Sequence, residues 1–201
     1  TTGAPAEEIG ALALQREFRE HLAVDDGLGH VGDEDRTPDE LASVKALIIP
    51  GGESTTIGRL ATIYGLIEPL RERIGLGMPV LGTCAGMIFL ASATTGPVQP
   101  QLGMLDVVVE RNAFGRQVDS FEADLEVRGF EDPLRAVFIR APWIDKVGAE
   151  VEVLAAVEDP GGGGAHPVVV QQDRILATSF HPELTDDDRL HTMLIELAEE
   201  R

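Results

Sequence analysis

The chain has 201 residues, 43% of them hydrophobic, and 16 Lys and Arg against 35 Asp and Glu give a formal net charge of −19. That much apolar surface can build a sizeable core, which excludes general disorder, and ~100–200 residues usually make one domain, so a single domain over residues 1–201 is expected. The negative surface excludes nucleic acid as a natural partner, no apolar run approaches the ~18 residues that span a bilayer, and the single cysteine, Cys84, can form no internal disulfide. No signal peptide opens the chain and no Cys/His/carboxylate cluster has zinc spacing, so a cytoplasmic protein with no membrane, metal or cofactor is expected.

In chain order, Ile9–Leu14 reads as a strand and Glu17–Leu22 as a helix. Seven carboxylates (Asp25, Asp26, Asp33, Glu34, Asp35, Asp39, Glu40) then crowd a stretch with Arg36 as its one base. Such a run is ordinarily a solvated face or loop, and His30–Asp35 fits no regular pattern. Ala46–Ile49 is a continuous apolar run stopped by Pro50-Gly51-Gly52, which suits a strand buried on both faces. Ser54 or Thr55 can cap a helix running to Tyr64, and Ile67–Ile74 reads as another. Pro79–Leu81 is a further buried strand and Met87–Ala93 a helix. From Val107 the pattern is strand-rich: Val107–Glu110, Glu122–Val127, Val137–Arg140, Val151–Val157, Pro167–Gln171 and Ile175–Phe180. Gly161–Gly164 reads as a loose hairpin loop, and Asp188–Glu199 as a closing amphipathic helix. Together these predict an α/β fold in three layers: a mostly parallel central sheet flanked by helices, with additional antiparallel strands.

Gly82-Thr83-Cys84-Ala85-Gly86 joins a predicted strand to a predicted helix. This is the nucleophile-elbow pattern G-x-S-x-G with Cys in place of Ser. A sharp strand-to-helix turn strains the backbone at the nucleophile, and small neighbours let the chains pack against it. The sulfur then projects at the carboxyl end of the sheet, where amides at the helix start favour a thiolate and can hold an oxyanion. The plain alternative is a buried structural cysteine.

A thiolate attacking a carbonyl needs a base. His181 lies in Ser179-Phe180-His181-Pro182-Glu183, directly after a predicted strand. In an extended segment residues i and i+2 face the same way, so Glu183 can orient His181 in the order Cys, His, Glu. His21, His30, His166 and His191 are read as surface or satisfied core histidines. Gly51-Gly52-Glu53-Ser54 ends a third strand, where the glycines let backbone amides approach a ligand; no phosphate-loop pattern follows.

Cys84 within Gly-Thr-Cys-Ala-Gly-Met, together with His-Pro-Glu, resembles the class I (triad) glutamine amidotransferases. Leu12–Gln15, Pro50–Thr56, Val109–Leu125, Val137–Pro142 and Ser179–Thr185 are similar to one subfamily, the glutaminase subunits of pyridoxal 5′-phosphate synthase. The Arg111–Phe121 run is the most specific stretch. The resemblance implies that Cys84 attacks the side-chain amide of L-glutamine, that His181 protonates the leaving ammonia and then activates water, and that Glu183 orients His181. By motif position it implies that Gly52, Glu53, Ser54, Arg111, Ile139 and Arg140 bind glutamine; an arginine suits an α-carboxylate through paired hydrogen bonds. It also implies a hetero-oligomeric partner, a synthase subunit that receives the ammonia and builds the vitamin B6 cofactor from ribose 5-phosphate and glyceraldehyde 3-phosphate. The alternatives are the glutaminase subunit of another amidotransferase, a γ-glutamyl hydrolase of the same fold, or a non-catalytic regulatory subunit. Two positions depart from the subfamily. Arg16 stands where a glycine is usual, and His30–Asp35 replaces an apolar second strand, which is expected to be frayed, shortened or absent.

Overall fold

The fold is described from a computed structural model of the chain, which describes residues 8–14, 18–27, 31–35, 37–111 and 120–200. The first part of the chain alternates strands and helices: β1 (Glu8–Leu12), α1 (Phe18–Gly27), β2 (Val31–Asp35), α2 (Pro38–Ser43), β3 (Ala46–Ile49), α3 (Ser54–Ile63), α4 (Ile67–Gly75), β4 (Val80–Thr83) and α5 (Ala85–Leu90). Then come β5 (Ala91–Thr95), β6 (Leu105–Glu110), β7 (Ser120–Leu125), β8 (Leu134–Ile139), β9 (Trp143–Val147), β10 (Glu152–Glu158), β11 (Ala165–Gln172) and β12 (Ile175–Thr178). A single 3-10 turn, Pro182–Leu184, precedes α6 (Arg189–Glu199).

Seven strands form the main sheet in the order β10-β11-β12-β4-β3-β1-β2. The five from β2 to β12 run parallel, and β11 and β10 close that edge antiparallel. β3 and β4 are buried along their whole length. Their side chains alternate between two cores. Leu47, Ile49 and Val80 pack on one face with α3, α4 and α5; Ala46, Ile48 and Leu81 pack on the other with α6 and the β7–β8 hairpin. This two-sided burial is what a continuous apolar run signals. A small sheet, β5-β6-β9, flanks the first core. Among the described residues no helix is long and apolar enough to cross a membrane.

Four expectations need correction. The acidic stretch does not lack its second strand: β2 keeps five residues in parallel register on β1, from Glu8↔Val31 to Leu12↔Asp35. It is an edge strand, where pairing to one neighbour needs only backbone groups and not an apolar run. Further along that stretch, Thr37-Pro38-Asp39-Glu40 opens α2, an element the sequence reading passed over. Thr37 accepts from the Glu40 amide while Glu40 accepts from the Thr37 amide, with Pro38 in the first turn, a reciprocal cap. The expected helix Met87–Ala93 stops at Leu90, because Ala91–Thr95 is drawn into pairing with β6; tertiary pairing outweighs the weak local preference of Ala, Ser and Thr. Finally, α3 is capped by neither Ser54 nor Thr55. The cap is Glu53, whose carboxylate accepts from the Thr55 and Thr56 amides at 3.1 and 2.8 Å.

Candidate active site

Three reversals at the carboxyl ends of β3, β4 and β12 face one cavity, the edge at which open α/β sheets bind ligands. Cys84 follows β4 with φ 51° and ψ −108°, a left-handed conformation that a non-glycine residue adopts only where its surroundings impose it. The surroundings are plain. The Cys84 amide donates to the Thr178 carbonyl at 2.8 Å, and α5 starts so close to β3 that a methyl group at Gly86 would run into the Ile49 carbonyl oxygen. The strand-to-helix elbow therefore has the strained nucleophile position and tight packing that its glycine pattern predicts.

His181 sits at the end of the segment after β12, its amide donating to the Val137 carbonyl at 3.1 Å. The segment after it is not extended, as the i, i+2 argument assumed. Pro182 starts the 3-10 turn, and this turn brings Glu183 back to His181. His181 Nδ1 donates to Glu183 Oε1 at 2.8 Å. Burial pushes the His181 pKa down, but hydrogen bonds to Cys84 and Glu183 and the charges of both groups prevail and raise it to about 10. An imidazolium thus stands between sulfur and carboxylate at neutral pH, the setting that favours a reactive thiolate. Burial also works against the Glu183 carboxylate; the His181 hydrogen bond and the adjacent imidazoles outweigh it and hold the group below its ordinary value.

Across the cavity, the tight Gly51-Gly52 turn clears room for the imidazole: a methyl group at Gly51 would lie 2.7 Å from His181 Cε1. Glu53 is pushed up by its partial burial, yet the Thr56 hydroxyl and the Thr55 and Thr56 amides bring its pKa down to about 2. This permanent carboxylate receives Arg111 Nη2 at 3.2 Å, while Arg111 Nη1 donates to Thr55 Oγ1 at 3.3 Å and Gln99 Oε1 at 3.1 Å. Arg140, at the end of β8, also has a left-handed backbone, with φ 43°. Gly52, Glu53, Ser54, Cys84, Arg111, Ile139, Arg140, His181 and Glu183 all line one cavity of about 890 Å³. These are the nine residues singled out in the sequence.

Other residues at the site carry no sequence signal. Gln99 is buried and accepts from Ser54, Thr55 and Arg111, so it ties the β3 turn to the arginine. His21 and His191, read as surface or satisfied core histidines, are core ones, and they lie directly behind Glu183. His166 stacks on Trp143, with ring centroids 3.9 Å apart. Arg16 and His30 lie outside the described residues, as do residues 112–119 of the most specific motif.

The SNO glutamine amidotransferase family matches residues 11–200. The chain belongs to this family. Within it, the chain is 52% identical over 196 residues to a protein of Rhodococcus jostii named pyridoxal 5′-phosphate synthase subunit PdxT, covering 94% of this chain and 96% of that one. A protein of the same name from Acidothermus cellulolyticus is 54% identical over 197 residues, covering 94% and 93%. Among solved structures, one described as a glutamine amidotransferase superposes with a TM-score of 0.88 at 52% identity, covering 95% of this chain and 98% of that one. PurLQS from Thermotoga maritima shares the fold, with a TM-score of 0.69 at 14% identity.

Proposed function

We propose that this member of the SNO family is the glutaminase subunit of a pyridoxal 5′-phosphate synthase. It hydrolyses L-glutamine to L-glutamate and ammonia and passes the ammonia to a partner synthase subunit. The observation that carries the reading is the chain of contacts from Cys84 through His181 to Glu183, lining a cavity in a chain about half identical to PdxT proteins. The Cys84 thiolate attacks the side-chain carbonyl carbon of glutamine. The carbon–nitrogen bond breaks as His181 gives its proton to the departing ammonia, leaving a γ-glutamyl thioester. His181 then takes a proton from water, which attacks the thioester; the carbon–sulfur bond breaks, glutamate leaves and the thiolate–imidazolium pair is restored. Glu183 keeps the imidazole aligned through both steps.

In this reading Arg111 meets the α-carboxylate of glutamine, already oriented by Glu53, Thr55 and Gln99, while Gly52, Glu53, Ser54, Ile139 and Arg140 complete the amino-acid pocket. Residues 1–201 act as one glutamine amidotransferase domain. A lone reactive thiol fits a reducing cytoplasm. Glutamate release, measured with and without the synthase subunit, tests the reading. Release that rises when the synthase is added supports it. Absence of release in either condition would overturn it.

A further inference from the structure

Glu183 spends one carboxylate oxygen on His181. The other, Oε2, is buried, and among the described residues no aligned hydrogen bond reaches it. The group that faces it is His21 Nε2, 3.3 Å away on α1. The same nitrogen hydrogen-bonds Thr83 Oγ1 at 3.3 Å, next to the nucleophile, and His21 Nδ1 lies 2.9 Å from His191 Nε2 on α6. Both histidines are fully buried. Cys84, His181, Glu183, His21 and His191 thus form one continuous line of polar groups through the protein.

The direction of that line follows from hydrogen-bond accounting. Of the two nitrogens facing each other between the rings, one must donate and the other accept. If His21 Nδ1 donated, His191 Nε2 would be a lone pair and its proton would sit on Nδ1, which is buried with no hydrogen-bond partner among the described residues. His21 Nε2 would then turn a lone pair toward the Glu183 carboxylate. A stranded buried donor and a lone pair against an anion are both costly. In the opposite direction, His191 Nε2–H donates to His21 Nδ1, His21 Nε2–H points between Thr83 Oγ1 and Glu183 Oε2, and the unpartnered His191 Nδ1 is only a lone pair. Burial lowers the pKa of both imidazoles, that of His191 to about 3, which fits neutral rings. Among the described residues the charged or titratable groups near His21 are Glu183, His181, His191 and its neighbour Glu20.

We propose that His21, fixed by His191, is a positioning residue for the triad: its Nε2–H holds the second oxygen of Glu183 and thereby keeps His181 aligned on Cys84. The contact also ties the placement of α1, which packs against the Pro182–Leu184 turn, to the competence of the triad. This rests on the glutaminase reading above, and the test separates the two. His21→Leu removes the donor, and His21→Gln puts an amide N–H near the Nε2 position. With the synthase subunit present, His21→Leu should lower kcat for glutamine by roughly ten- to a hundredfold, the size seen when the group that orients a metal-ligating histidine from behind is lost, with KM within about twofold. His21→Gln should recover most of that loss. In the chain without its partner, iodoacetamide should alkylate Cys84 more slowly at neutral pH in His21→Leu than in wild type, with the rate profile displaced to higher pH and restored in His21→Gln. The alkylation arm reports on the triad even if the wild-type complex releases no glutamate. Wild-type alkylation in His21→Leu, or equal loss in the Leu and Gln variants with the pH profile unmoved, would overturn the proposal.

Discussion

The two ends of the parallel sheet treat charge in opposite ways. At β2 and α2, acidic residues gather at an edge strand and in the exposed first turn of a helix. In α2, solvent screens Asp39 and Glu40, and such exposed charges contribute little beyond the cap. At the ends of β3, β4 and β12, the carboxylate of Glu183 and the imidazoles of His181, His21 and His191 are taken out of water and must satisfy one another. The acidic edge holds much of the charge, and the edge with Cys84 holds buried groups, His181, Glu183, His21 and His191, whose protonation is shifted by their surroundings. Net charge is therefore a poor guide to where chemistry happens in this protein, and desolvation is a good one.

Substitutions at the two edges should differ in size and in kind. The largest effect belongs to Cys84→Ala, which should reduce glutamate release by at least about a thousandfold while leaving binding to the synthase subunit intact, as checked by pull-down. Next is Gly86→Ala. Its methyl group meets backbone rather than a flexible side chain, so urea unfolding should show a loss of about 3 kcal/mol. Third is a pH effect. His191 is held neutral in the fold down to about pH 3, against 6.5 when unfolded. Below pH 6.5 the unfolded chain binds a proton that the folded chain refuses, so stability falls as pH falls, by up to about 1.4 kcal/mol per pH unit for this residue. Urea midpoints at pH 7, 6 and 5 should decline less steeply in His191→Leu than in wild type. The smallest effect lies at the acidic edge. Thr37→Ala removes half of a reciprocal cap and should cost about 1 kcal/mol with glutamate release unchanged, whereas a large fall in activity would erase the contrast between the two ends.

Legibility in the sequence followed the range of the interactions. Ala46–Ile49 and Cys84 were readable because their signals are local: a run with no polar break, and a strand-to-helix turn that demands small neighbours. Ala91–Thr95 was not, because its strand character comes from a partner, Leu105–Glu110, that composition does not announce. Glu53 was passed over as a cap because adjacent Ser54 and Thr55 are the commoner capping types; its longer carboxylate reaches the same amides. The cap of α2 was legible in Thr37-Pro38-Asp39-Glu40 and was obscured by the charge around it. His21 and His191 illustrate the deeper limit. Their places on predicted helices do not say what they meet, and His21 meets a carboxylate from the far end of the chain. Gln99 is similar, a polar residue made part of the site by a distant turn and a distant arginine.

In the proposed reaction Cys84 forms a covalent bond with the γ-carbonyl carbon of glutamine. The complex with the synthase subunit, mixed with glutamine and quenched in acid within a turnover, can be digested and its Cys84 peptide weighed. The account predicts a γ-glutamyl thioester on Cys84 that appears with glutamine and disappears as glutamate accumulates. Glutamate release with an unmodified Cys84 peptide throughout would contradict it.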